Sequence, residues 1–95
     1  MTINCAIKGR RAEHRARHLL ESTGFTVCRA AGSKGLVDLV AWDAVSLRFI
    51  SVKSGTTYAS ALEREGLALM PRPTMASVEI WRFPNRARAP LIETL

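Results

Sequence analysis

Between Val37 and Trp42 the chain is apolar on both faces of a would-be strand, with one exception, Asp38. A strand that faces water on one side alternates in polarity. One with no polar face must be covered above and below. The run therefore predicts a central strand with other layers on both sides, and two segments can supply helices. Over residues 10–22, Ala12, Ala16, Leu19, Leu20 and Thr23 fall in one stripe at helical period, and Gly24 supplies the stop. A second helix is expected from Ser60, where Ser60 and Glu63 fit a capping box, to about Leu69, ahead of Pro71 and Pro73.

The remaining apolar runs read as strands. Residues 25–31 place Phe25, Val27 and Arg29 on one side and Thr26 and Cys28 on the other, with Cys28 expected as a buried thiol. After a turn at Asp43-Ala44-Val45-Ser46, residues 47–53 put Leu47, Phe49, Ser51 and Lys53 on one face and Arg48, Ile50 and Val52 on the other. Residues 77–83 form a fourth strand. The tail, residues 84–95, is either an arm or a short edge strand. The order is helix, three strands, helix, strand. Two hairpins make antiparallel pairs, and the second helix permits a parallel crossover. The fold class is α/β, a mixed central β-sheet flanked by helices, and 95 residues suffice for a single domain.

No run of about 18 apolar residues exists, and the N-terminus lacks a secretory-type apolar stretch, so a cytoplasmic protein without a membrane span is expected. Cys5 and Cys28 have neither metal-ligand spacing nor the number of a disulfide scaffold. His14 and His18 stand one helical turn apart. No glutamate follows His14 as in zinc proteases, however, and the neighbouring arginines repel cations, so solvated or phosphate-facing histidines are expected. The net charge is +6, and eleven of the fourteen cations are arginine, whose planar fork suits phosphate. Arg10, Arg11, His14, Arg17 and His18 cluster on the helix face opposite the apolar stripe, an electrostatic footprint for nucleic acid. Trp42 is expected in the core, whereas Trp81, Phe83 or the tail beginning at Pro84 are candidates for a subunit seam.

Asp38 opens an apolar strand, where an acid costs free energy unless it is paired or holds a metal. Pairing with Arg29 or Lys53 is the plain structural alternative. Lys53 ends the next strand, and Glu13 lies at the edge of the helix stripe, where its carboxylate can lean toward the sheet. The loop Ala31-Gly32-Ser33-Lys34-Gly35 has glycines that let backbone approach a ligand closely.

Taken together, Lys8-Gly9-Arg10, Glu13, Leu20-Glu21, Gly24-Phe25, Val27, Arg29, Gly32-Ser33, Asp38-Leu39-Val40-Ala41 and Val52-Lys53-Ser54 resemble the archaeal Holliday junction resolvases of the PD-(D/E)XK nuclease superfamily. The resemblance covers residues 8–58. It implies a restriction-endonuclease-like core of α-β-β-β-α-β order, a homodimer, and magnesium- or manganese-dependent cleavage of four-way or other branched DNA. By the same resemblance Asp38 is the central metal ligand, Glu13 holds the metal or its waters, and the Val52 carbonyl is a further ligand. Lys53 orients or deprotonates the attacking water, and Ser33 belongs to a loop that reaches the scissile strand. Lys8, Arg10, Arg11, Arg17, Arg29 and Lys34 are the expected DNA-binding positions.

Two positions depart from the family pattern. Leu36-Val37 stands where a proline often precedes the aspartate, and Ser51 stands where an acid usually precedes the lysine by two. A hydroxyl is a poorer magnesium ligand than a carboxylate. Three readings follow: a working site with a weaker or water-bridged ligand, a substitute acid (Glu79, Glu63 or Glu65), or a silent branched-DNA-binding protein. A small nuclease of flaps or duplex is a further alternative.

Overall fold

The first helix, α1, spans Thr2–Ser22, in a computed structural model that describes residues 2–30 and 36–95, with side chains from Arg10 onward. It begins earlier than residue 10, where the apolar stripe starts. Residues 2–9 contain no proline, and extending a helix needs no new nucleus. The buried stripe is narrower than the periodicity suggests. Ala12, Ala16 and Leu20 are buried, whereas Leu19 and Thr23 are exposed. The helix ends where Gly24 adopts φ 96°, with Gly24 N–H donating to the Glu21 carbonyl and Phe25 N–H to the Leu20 carbonyl, both at 3.1 Å. This paired closure consumes two of the otherwise orphaned carbonyls. It also takes Phe25 out of the first strand, which is why that strand starts one residue late.

The strands are β1 (Thr26–Arg29), β2 (Leu39–Trp42), β3 (Leu47–Ser54), β4 (Ala76–Phe83) and β5 (Leu91–Thr94), side by side in chain order. The β1–β2 and β2–β3 pairs are antiparallel, β3–β4 is parallel, and β5 closes the edge antiparallel to β4. The tail is thus an edge strand, and the expected mixed α/β sheet is present. The β2–β3 turn is held by Asp43, whose Oδ1 accepts from the backbone N–H of Val45 and Ser46 and from the Ser46 hydroxyl.

The second helix, α2 (Ala61–Leu69), carries the crossover from β3 to β4. Its capping box is complete: Ser60 Oγ accepts the Glu63 N–H, and the Glu63 carboxylate accepts the Ser60 N–H. The two helices cover opposite faces. Under α1 lie Val27, Leu39, Ala41, Ile50, Trp81 and Phe83. Around Leu67 of α2 lie Val78 and Ile80, with Leu36, Val37, Phe49 and Met70 packed against them. Among the described residues, no helix is long and apolar enough to cross a membrane.

Three side-chain expectations are corrected here. Cys28 is exposed, because β1 is an edge strand and only its Val27 face meets α1. Trp42 is 40% exposed, because it points from the end of β2 to the face that the nine-residue α2 does not reach. Trp81 and Phe83 are buried beneath α1, so neither is available for a subunit seam. The exposed large apolar groups are elsewhere, among them Leu62 and Leu69 on α2 and Leu91 and Ile92 on β5.

Candidate active site

Because β2 and β3 are antiparallel, the start of one lies beside the end of the other. Asp38, just before β2, is therefore brought to Val52 and Lys53 near the end of β3. Asp38 N–H donates to the Ile50 carbonyl, and its Oδ2 accepts the Val52 N–H at 2.7 Å. The end of β1 joins them, as Ala30 N–H donates to the Asp38 carbonyl. Neither structural partner weighed for Asp38 forms an ion pair with it: Arg29 bonds Glu13 at 3.0 Å, and Lys53 bonds Glu63 at 2.5 Å.

Burial pushes the Asp38 carboxyl above the usual carboxylate range. The Val52 N–H and the Lys53 charge act against that, while the negative charges of Glu13 and Glu63 add to it. The charges of Glu13 on α1 and Glu63 on α2 are thus both felt at Asp38. Glu63 is the opposite case. The hydrogen bond from Lys53 holds its carboxyl below the ordinary value, against a smaller effect of burial.

Ser51 follows the period-two pattern onto the α2 face, between Phe49 and Lys53. It is fully buried, and its Oγ has no hydrogen-bond partner among the described residues. Of the acids that could stand in for it, Glu79 is excluded. It lies on the α1 face, where it accepts from Arg48 at 2.8 and 2.7 Å, from Ser77 Oγ at 2.6 Å and from Trp81 Nε1 at 2.8 Å. Glu65 is exposed on α2. Only Glu63 reaches the site.

Glu13, Arg29 and Leu39 line a small cleft of about 170 Å³ with Arg10, His14 and Arg17, so three of the expected DNA-binding arginines border Glu13. Arg17 also bonds Glu21 one turn along α1 at 3.3 Å. Arg11 faces a different, open groove of about 750 Å³ that it shares with Arg10, His14, Arg15, His18 and Arg88. Both histidines are exposed there, as expected for solvated or phosphate-facing groups. Ser33 and Lys34 fall outside the described residues, as does the side chain of Lys8.

Sequence reasoning missed Arg15 and Arg88. Arg15 donates to the Ala87 carbonyl at 2.7 Å and sits 4.7 Å from the Phe83 ring centroid, tying the segment before β5 to α1. Its spacing of one turn from Arg11 was a usable signal. The approach of Arg88 depends on the tail's path and had none.

Residues 4–78 match the family model described as archaeal Holliday junction resolvase (Hjc). Among solved structures, the chain is similar to Archaeoglobus fulgidus Hjc, a Holliday junction resolvase from an archaeal hyperthermophile. The TM-score is 0.76 at 30% identity, over 92% of this chain and 72% of the other. No curated protein matches.

Proposed function

The chain belongs to the archaeal Holliday junction resolvase family, nucleases that act on branched DNA, and from that premise we propose a divalent-metal-dependent, structure-selective endonuclease working as a homodimer. The observation that carries the catalytic part is the meeting of Asp38 with the end of β3. It is a partly buried carboxylate whose proton affinity is raised by burial and by two further acids, one strand away from a lysine.

A cation is the counter-charge such a cluster lacks. Magnesium or manganese takes oxygen ligands, and magnesium keeps several of its waters, so one or two carboxylates suffice. Among the described residues no three-carboxylate cage is preformed. By the family resemblance Asp38 would be a direct ligand, the Val52 carbonyl a second and Glu13 a holder of waters. When bound, the ion supplies Lewis acidity and a more acidic water.

The protein's own groups account for the rest. Lys53, one strand away from Asp38, would orient the attacking water or take its proton, and its charge would steady the phosphorane. Arg10 and Arg17 border the cleft that holds Glu13, so a phosphate entering it meets guanidinium groups first. Arg29 is spent on Glu13 and shares its charge between that acid and any incoming phosphate. Binding of this kind is electrostatic and shape-directed, with little base readout.

The test is cleavage of an end-labelled four-way junction beside a matched linear duplex, with magnesium, manganese or chelator. Symmetrical nicks in the junction, lost with chelator and in Asp38→Ala and Lys53→Ala, are expected. Tight junction binding without any cut would overturn the catalytic reading.

A further inference from the structure

We propose that Glu63, from the first turn of α2, supplies the acid that the β3 position Ser51 lacks, as the second carboxylate of the metal site. The inference rests on the metal-dependent reading above and extends it to a residue outside the strand motif.

Ser51 offers a metal ion little. Its hydroxyl is neutral, fully buried and without a partner among the described residues. It contributes no charge to the cluster. Glu13 is paired with Arg29 and Glu63 with Lys53, so Asp38, Glu13 and Glu63 share two cations and keep one negative charge in excess to meet a divalent ion.

Geometry singles out Glu63. The Lys53 ammonium donates to Glu63 Oε2 at 2.5 Å with both side chains partly buried, so α2 presents this carboxylate to the lysine from above the α2 face of the sheet. Glu63 is also near enough to Asp38 to raise that carboxyl's proton affinity. The helix start is set by the Ser60 cap, and this fixes where the N3 side chain emerges. Glu65, two residues on, is turned about 200° round the helix and faces solvent.

A purely structural Glu63 would need only the capping box and its lysine. Glu63→Gln separates the two roles, since glutamine serves the box at N3 but brings no charge. Titration calorimetry with manganese alone, on the full chain, compares wild type, Asp38→Asn, Glu63→Gln, Ser51→Glu and the double variant Ser51→Glu/Glu63→Gln. Urea unfolding of each checks the fold.

Glu63→Gln is expected to weaken manganese binding at least about tenfold. Placing the acid back on β3 in the double variant is expected to restore binding, and Ser51→Glu alone to gain little, since the ligand is already supplied. Junction cleavage is expected to fall and return in parallel. If Glu63→Gln binds manganese like wild type while Asp38→Asn does not, the inference fails and the metal reading stands. If Asp38→Asn also binds like wild type, the metal reading itself fails and takes the inference with it. Should the double variant not fold, the single Glu63→Gln titration decides.

Discussion

Arg48 grips Glu79 with both arms of its guanidinium, Nε at 2.8 Å and Nη2 at 2.7 Å, from the neighbouring strand beneath α1. The Glu79 side chain is almost closed off from water, 6% exposed, whereas that of Arg48 is 22% exposed. Arg48 also stacks near the rings of Phe25 and Trp81, so one ion pair ties β3, β4 and the end of α1 together. Burial alone would raise the Glu79 carboxyl, but the hydrogen bonds from Arg48, Ser77 and Trp81 outweigh it and hold the carboxyl below its ordinary 4.5. Its contribution to stability is therefore present above pH 4.5 and lost as pH falls through the lower folded-state value.

Arg48→Ala leaves a buried carboxylate without its cation and is expected to cost about 3–5 kcal/mol at neutral pH. Glu79→Gln keeps an acceptor for Trp81 Nε1 and is expected to cost less, about 1.5–3 kcal/mol. Urea midpoints measured from pH 7 down to pH 3 check both. The gap between wild type and Glu79→Gln should narrow below pH 4.5. A gap that stays constant would show that Glu79 binds its proton alike in the folded and unfolded chain, so that the hydrogen bonds to it add nothing to its ionised form.

Asp38→Asn is expected to abolish cleavage without unfolding the chain. The raised proton affinity of Asp38 means that its ionised form costs stability at neutral pH, and asparagine removes the charge while its carbonyl can still accept the Val52 N–H. The thermal midpoint without metal should equal or exceed that of wild type. Manganese should raise the wild-type midpoint only, because a ligand stabilises the state it binds. A variant that melts lower and cleaves nothing would point to a structural role for the carboxylate.

At Ser51 the expectation for truncation is unusual for a fully buried polar residue. Its hydroxyl gains no hydrogen bond from the described residues, so Ser51→Ala removes a desolvation cost and opens almost no space. Stability should change by no more than about 1 kcal/mol, in the stabilising direction. A clear loss in urea unfolding would mean that the hydroxyl has a partner the geometry does not reveal.

Much of this site was legible because it depends on strand periodicity and order. Asp38 comes beside the end of β3 since consecutive hairpin strands run antiparallel, and alternation alone puts Ser51 on the face of Lys53. The capping box placed Glu63 at the start of a helix, but only the crossover path brings that start over the end of β3. Glu79 stood as an equal candidate until the register showed its face and Arg48 its partner. Trp42 and Trp81 exchanged roles for a related reason. Period two assigns a residue to a face, but what covers that face depends on helix length and position, which these apolar runs do not encode. The spacing of Arg15 from Arg11 was legible, but its partners were not, because they are backbone carbonyls 72 and 73 residues away.

The arginines of α1 divide into two kinds, and salt dependence should separate them. Arg10 is exposed beside the acid cleft. Arg17 is held only by an exposed bond to Glu21, a pairing worth a few tenths of a kcal/mol (about 0.2–0.5) that phosphate can displace. Arg10→Ala and Arg17→Ala should each weaken binding to all DNA sequences alike and reduce the slope of log affinity against log salt by about 0.9. Arg15 is already spent on the carbonyls of Ala87 and Arg88 and on the Phe83 ring. Its replacement by alanine should leave the slope nearly unchanged and appear as about 1–2 kcal/mol of lost stability. Fluorescence anisotropy on junction and duplex from 50 to 200 mM salt (roughly the range over which counterion release dominates) reads both effects. A sequence-selective loss for Arg10→Ala would contradict phosphate contact. A slope change for Arg15→Ala as large as that for Arg10→Ala would move Arg15, and the groove it lines with Arg11 and Arg88, into the DNA interface.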